Sequence, residues 1–444
     1  MLQLSPNRRF LAEADGSPFF YLGDTAWELF HRCSLDETEH YLRDRAAKGF
    51  TVIQAVVLAE LDGLATPNMA GDLPLIDQDP DRPNEAYFRH VDAVVDLAES
   101  LGLVIGMLPT WGDKWNQKWG VGPEIFTPEN AYRYAVFLGK RYAQRRLIWI
   151  LGGDRPIESE TQRAIIRAMA AGLRAGDGGQ HLIGFHTYGP HSSSEFVHEE
   201  PWLDLHMCQS GHARNSANYR FIEQDYALTP IRPVMDAEPG YEEMPDGLHT
   251  LDGGYLDEYE VRKALYWALF AGAHGHTYGC NNVWQMWTSR RRPLLNARRS
   301  WQESLSLPGA AQVQHARSLL LSRPYFDRLP DQSLIVSDPG SGSYHVRATR
   351  DTHGRYACVY IPALQRPPFG QGVEPLPVEV DLTKLRGEQI MAWWFDPRTG
   401  VAQAIGLQPR QPRAAFFTPY GGPDWVLVLD DATCGFAAPG RHGR

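Results

Sequence analysis

Between Leu147 and Pro156 the chain reads LIWILGGDRP. Five apolar residues, Leu147-Ile148-Trp149-Ile150-Leu151, follow a helical segment and leave through glycines, the form of a strand buried on both faces. Such strands belong to parallel sheets covered by helices, which directs the chain towards the α/β folds. Gly152 and Gly153 let the backbone turn sharply. Asp154 then stands beside Arg155, where a core residue is hard to imagine. The stretch RPVMDAEPG, from Arg232 to Gly240, has the same form, with Val234 and Met235 leading to Asp236 and Glu238. In a parallel barrel the C-terminal strand ends carry the chemistry. The reading therefore sets Asp154 and Glu238 face to face across one cleft.

The pattern recurs along the chain. Phe19 to Gly23 ends in Asp24, Thr25 and Trp27. Phe50 to Leu58 is followed by a long polar loop, residues 60–85. Leu103 to Pro109 opens into Thr110-Trp111-Gly112-Asp113-Lys114-Trp115. His181 to Phe185 ends in His186-Thr187-Tyr188, and Leu203 to Cys208 ends in Gln209. His274 to Tyr278 leads into an eighth strand and a loop with Trp284 and Trp287. Helical periodicity fills the gaps: Leu35 to Lys48, Ala86 to Leu101, Pro128 to Tyr142, Glu160 to Ala175, Asp257 to Ala273 and Gln312 to Arg323. Ser34 with Glu37 forms a capping box at the first helix.

Eight alternations over about 320 residues fit a (β/α)8 TIM barrel. A doubly wound open sheet is the rival, but no GxGxxG and no P-loop follows any strand. From Arg328 the character changes. Leu334 to Val336, Tyr344 to Thr349, Tyr356 to Ile361, Val378 to Leu382, Ile390 to Phe395 and Trp425 to Leu429 read as short strands between turns. The expected architecture is a barrel over 1–327 and a small C-terminal antiparallel β-sandwich over 328–444, with a loose tail beyond Cys434.

A net charge of −10 without a basic stripe argues against a nucleic-acid partner. No stretch is long and apolar enough to cross a membrane, and no apolar signal core opens the chain, so the default expectation is cytoplasmic. Five scattered cysteines without a CxxC pair argue against a disulfide framework or a zinc site. The 13 Trp and 19 Tyr suit sugar faces, and equally suit cores.

Hydrolysis of a glycosidic bond needs two carboxyls flanking the anomeric carbon. Asp154 and Glu238 meet that need from strands four and seven; as structural residues they would instead cap a helix and pair with an arginine. Burial and a charged neighbour would keep Asp154 protonated, while Tyr188, His186 or His276 would hold Glu238 ionised. Asp24, Trp27, Trp111, Asp113, Arg155, His186, Tyr188, Gln209, His276, Tyr278 and Trp284, all near strand exits, are the candidate substrate contacts. Trp115 is a further stacking candidate, and Asp113 with Lys114 reads equally as an exposed salt-bridged loop. His274 and His276 form an HxH pair, but at strand eight rather than strand one, so neither metal nor cofactor is expected.

The segments Tyr21-Leu22-Gly23-Asp24-Thr25-Ala26-Trp27, Gly152-Gly153-Asp154, Glu238-Pro239 and His274 to Gly279 occur in this order in a known group. The chain resembles the apiosidase-like glycoside hydrolases, family 140, many of which carry a collagen-binding label. The segment Trp393 to Gly400 is similar to that group's C-terminal β domain. Relatives in the broader clan carry Asn-Glu at the strand-four exit, whereas Gly153-Asp154 agrees with the apiosidase-like group. The resemblance implies a retaining TIM-barrel enzyme, with Asp154 as acid/base and Glu238 as nucleophile. Its substrate would be a carbohydrate ending in β-linked apiofuranose, on a plant glycoside or a pectin side chain. Other glycosidase specificities, and a non-catalytic carbohydrate- or collagen-binding protein, remain the rival readings.

Overall fold

The computed structural model describes residues 1–363 and 373–441. A three-stranded N-terminal sheet, residues 3–19, leads into eight parallel strands: β1 (Tyr21–Thr25), β2 (Val52–Leu58), β3 (Val104–Thr110), β4 (Leu147–Gly152), β5 (Ile183–His186), β6 (Leu205–Gln209), β7 (Val234–Asp236) and β8 (Gly275–Tyr278). Each pairs with the next, and β8 returns to β1, so the sheet closes on itself. Helices α1 (Leu35–Ala47), α2 (Glu85–Ser100), α3 (Pro128–Tyr142), α4 (Glu160–Asp177), α5 (Ser194–Val197), α6 (Tyr219–Tyr226), α7 (Glu258–Phe270) and α8 (Gln314–Leu321) alternate with the strands. The Ser34–Glu37 capping box is present at α1.

Strand parity sorts the core. Side chains alternate across a strand, so one set fills the barrel and the other meets the helices. In β4, Ile148 and Ile150 join Tyr21, Val52, Val56 and Met207 inside. Leu147, Trp149 and Leu151 join Leu22, Ile53, Ile105 and Phe185 in the helix layer. Both layers are dry, which is why the strands read as unbroken apolar runs.

Eight further strands form the C-terminal part: β9 (Arg328–Pro330), β10 (Arg347–Asp351), β11 (Tyr356–Pro362), β12 (Pro377–Val380), β13 (Gln389–Phe395), β14 (Ala402–Pro409), β15 (Ala414–Phe417) and β16 (Asp424–Asp431). Six pair antiparallel in the order β9-β10-β11-β16-β13-β14, and β12 with β15 forms a two-stranded ribbon. The ribbon's Val378, Val380 and Phe416 pack on Val359, Ile361, Leu427 and Leu429 of the larger sheet. The alternate residues Tyr356, Cys358, Tyr360, Val426 and Val428 belong instead to the barrel's helix layer. This sheet therefore has no free broad face at its centre; one side is its own core and the other is glued to the barrel. Tyr360 stacks on Tyr266 of α7 at 4.9 Å and 7°, and Arg262 of α7 reaches Asp424 at 2.8 Å, both side chains buried.

Two expectations need correction. Leu334 to Val336 is no strand: residues 332–334 form a single 3-10 turn and Ile335 makes one bridge to Val380. The chain beyond Cys434 is held as far as it is described, because Phe436 packs under Arg323 and the Gly440 amide donates to Ser322 Oγ. No helix among the described residues is long and apolar enough to cross a membrane.

Candidate active site

A cavity of about 800 Å³ opens at the C-terminal end of the barrel. Every strand sends a residue to it: Trp27 after β1, Glu60 after β2, Trp111 after β3, Asp154 after β4, Tyr188 after β5, Gln209 in β6, Glu238 after β7 and Trp284 after β8. Asp154 and Glu238 thus line one cavity.

The exit of β4 is strained. Gly152 and Gly153 both adopt φ +95°, and Asp154 adopts φ +57°. A Cβ on Gly152 would lie 2.1 Å from His186 O, and one on Gly153 2.7 Å from the Gly112 amide nitrogen. Only glycine fits either place. The following left-handed Asp154 is tolerated by few side chains, and conformations of this kind gather at functional sites. The turn aims the carboxyl into the cavity, where it keeps a fifth of its surface open. Trp119 Nε1 donates to Asp154 Oδ2 at 3.0 Å, and Arg155 Nη1 donates to the same oxygen at 3.0 Å. Burial, and then the negative charge of Glu238, push the Asp154 carboxyl up to about 6, against the pull of Arg155.

Glu238 is held differently. His186 Nε2 lies 2.9 Å from Oε2, off the line of a good hydrogen bond, and His212 Nε2 lies 3.1 Å from Oε1. Burial alone would raise this carboxyl; the two imidazoles outweigh it and bring it down to about 2. The Asp154 amide donates to His186 Nδ1 at 3.3 Å. That assigns the ring's hydrogen to Nε2, facing Glu238. One imidazole therefore touches the backbone of one acid and the carboxylate of the other.

A third carboxyl, Glu60, lines the same cavity. Arg155 Nη2 lies 3.9 Å from it, and burial together with Asp154 lifts it to about 8.

Of the sequence-derived contacts, Trp27, Trp111, Tyr188, Gln209 and Trp284 line the cavity. Arg155 and His186 stand one layer behind, against Asp154 and Glu238. Four others lie elsewhere. Asp24, His276 and Tyr278 have the wrong strand parity. Asp24 meets Arg45 and Tyr41 in the helix layer. Tyr278 donates to Glu242 at 2.6 Å and packs in the same layer. His276 pairs in register with outward-facing Leu22, and its burial pushes it to about 3, so it is no partner for Glu238. Asp113 forms an ion pair with Lys114 at 2.7 Å and accepts the Gly122 amide at 2.8 Å; the pair is fully buried rather than exposed. Trp115 is likewise buried, its indole N–H on Gly152 O at 3.2 Å. Glu60, Trp119, His212 and Tyr241 reach the cavity without having been singled out. Glu60 follows an apolar strand as Asp154 does and could have been found on that ground; Trp119 and His212 sit in loops with no distinguishing pattern.

Two carboxyls in one cavity are what glycosidic chemistry requires. Among the solved structures that match almost the whole chain, two share about a third of its sequence. One, titled a glycoside hydrolase, is 32% identical with a TM-score of 0.88, covering 97% of both chains. The other, a glycoside hydrolase family 5 protein from Bacteroides vulgatus ATCC 8482, is 31% identical with a TM-score of 0.87, covering 97% of this chain and 94% of that one. The protein is a glycoside hydrolase. The chain belongs to the apiosidase-like family, whose catalytic-domain description matches residues 5–327. Residues 329–430 match the description "Putative collagen-binding domain of a collagenase". A search of curated proteins finds no match.

Proposed function

We propose that the protein is a retaining, exo-acting apiosidase that releases terminal β-linked apiofuranose from plant glycosides or pectin side chains. The observation that carries the reading is the opposite treatment of two carboxyls in one cavity: Asp154 is held towards the protonated form and Glu238 towards the ionised form.

Asp154 protonates the leaving oxygen while Glu238 attacks the anomeric carbon. The C–O bond to the leaving group breaks, and a bond from Glu238 to the sugar forms. Glu238 then carries no charge, and the Coulombic push on Asp154 disappears. Its pKa falls, so it accepts a proton from water, which attacks the glycosyl-enzyme and frees the sugar. His186 and His212 hold Glu238 in place throughout, and the indole walls exclude water and receive the sugar face. The β-sandwich, bound to α7 directly after the Glu238 strand and its loop, serves as support for that side of the barrel.

A panel of 4-nitrophenyl and natural glycosides, including a β-apiosyl flavonoid, tests the reading with wild type and Glu238→Ala. Apiose release that vanishes in the variant supports it, and NMR of the first-formed anomer tests retention. Release of a different sugar moves the specificity to arabinofuranosidase or β-glucosidase chemistry.

A further inference from the structure

We infer that Trp119 and Tyr188 form the leaving-group subsite, a slot for a ring with a flat apolar face, either an aromatic alcohol or a pyranose. The inference rests on the assignment of Asp154 as the acid, since the acid marks the side from which the leaving group departs.

The aromatic residues of the cavity fall into two depths. Trp27, Trp111, Tyr241 and Trp284 are nearly closed to solvent, at 2, 2, 1 and 6% exposure, whereas Trp119 is 57% exposed. Tyr188, half-buried, lies 6.2 Å from Trp119 at 48°, so the two rings form an open wedge. The deep set suits the sugar that is cleaved off, and the shallow pair meets what departs. Trp119 is also attached to the acid itself, through its indole N–H on Asp154 Oδ2.

An exposed tryptophan on a surface loop is ordinarily unremarked. This one is packed on a cation, and the loop that carries it is held at two further points. The Arg155 guanidinium lies 4.4 Å from its ring centre, a cation–π contact that occupies one face and leaves exposed ring surface elsewhere. The next residue, Gly120, sits so close to Asp113 and Arg155 that a Cβ would meet them at 2.3 and 2.4 Å. The buried Asp113, paired with Lys114, accepts the Gly122 amide. Tyr188 is stiffened in turn by His191, stacked on it at 4.3 Å. Rigid, exposed and adjacent to the acid, the pair is pre-organised to stack on a ring, and rigidity lowers the entropy cost of doing so. It also gives the buried Asp113–Lys114 pair a role, which is to anchor the platform's loop.

The test uses three β-apiosides that share the sugar and differ in what leaves: 4-nitrophenol, glucose or methanol. Trp119→Ala and Trp119→Phe both lose the N–H bond to Asp154, but the Phe variant keeps a ring. Relative to the methyl apioside, Trp119→Ala is expected to lose about tenfold in kcat/KM on the two ring-bearing substrates, and Trp119→Phe to recover most of it. Loss on the nitrophenyl substrate alone assigns an aromatic partner; loss on both admits a pyranose. An equal fall on all three in both variants overturns the inference, because Trp119 would then act only through Asp154. Saturation-transfer NMR of 4-nitrophenol and of glucose with wild type and Trp119→Ala needs no turnover. If the wild type cleaves none of the three, the apiosidase reading fails, and the NMR still decides: ring binding lost in the variant keeps the platform, and binding equal in both proteins removes it.

Discussion

The exits of β4 and β7 each deliver an acid to the same cavity, and they are built in opposite ways. The β4 exit is glycine-rich and left-handed, and it places Asp154 next to one shared cation, Arg155, which also faces Glu60. The β7 exit places Glu238 between two imidazoles. Both carboxyls suffer burial; at Asp154 the charge of Glu238 adds to it, while at Glu238 the two imidazoles outweigh it. The lesson is that burial alone does not decide a carboxyl's state; the charges and donors around it do. Two acids with opposed states are what the proposed double displacement requires.

The most severe way to break the contrast is to remove the acids. Glu238→Gln is expected to lower kcat/KM by about 10⁴-fold or more on every leaving group. Asp154→Asn should cost about 10²- to 10⁴-fold on a sugar leaving group and far less on 4-nitrophenol, which departs without a proton. Equal losses on both substrates would show that Asp154 is not the acid.

Stability separates the two exits next. Asp154 ionises near 3.8 in the unfolded chain and about 6 in the fold. Its ionisation therefore opposes folding as pH rises through that window and beyond. Glu238 has the reverse sign: its pKa falls from 4.5 to about 2, so its contribution is present above about 4.5 and is lost as pH falls to about 2. At pH 8, Asp154→Asn should be more stable than wild type by on the order of 2 kcal/mol, and Glu238→Gln less stable by a smaller amount, because losing the Glu238 charge also relieves Asp154. Denaturant midpoints at pH 8 and pH 4 measure this, and the Asn variant's gain should fade at pH 4. Shifts of the same sign would mean that the two sites are not opposed.

The smallest effect sharpens the Glu238 side alone. His186→Ala removes one donor, so the acidic limb of kcat/KM should move up from about 2 towards 4.5. An unmoved limb would leave His212 as the donor that matters.

Much of this arrangement was legible in the sequence. The barrel followed from apolar strands alternating with periodic helices, and Asp154 and Glu238 from their place after those strands. Parity was legible too, and unused: Ile148 and Ile150 face inward, so alternate residues can be counted along each strand. The same count turns Asp24, His276 and Tyr278 outward to the helices and His186 and Gln209 inward. Trp119 and His212 could not be reached this way, because loop residues obey no period and their positions depend on distant contacts such as Asp113 with the Gly122 amide. In the β-sandwich, β14 and β15 were missed because AQAIGLQP and AAFF are poor in β-branched residues; cross-strand pairing with β13 and β12 makes them strands.

The pH dependence of kcat/KM for a β-apioside with a sugar leaving group, in wild type and in Asp154→Ala, tests the central claim most directly. The account predicts that wild-type activity falls tenfold per pH unit above about 6, towards the level of the variant, whose low residual activity has no acid to lose and shows no such fall. A fall near pH 6 that survives in Asp154→Ala would contradict it, and would assign the proton to another group in the cavity, with Glu60 the first to examine.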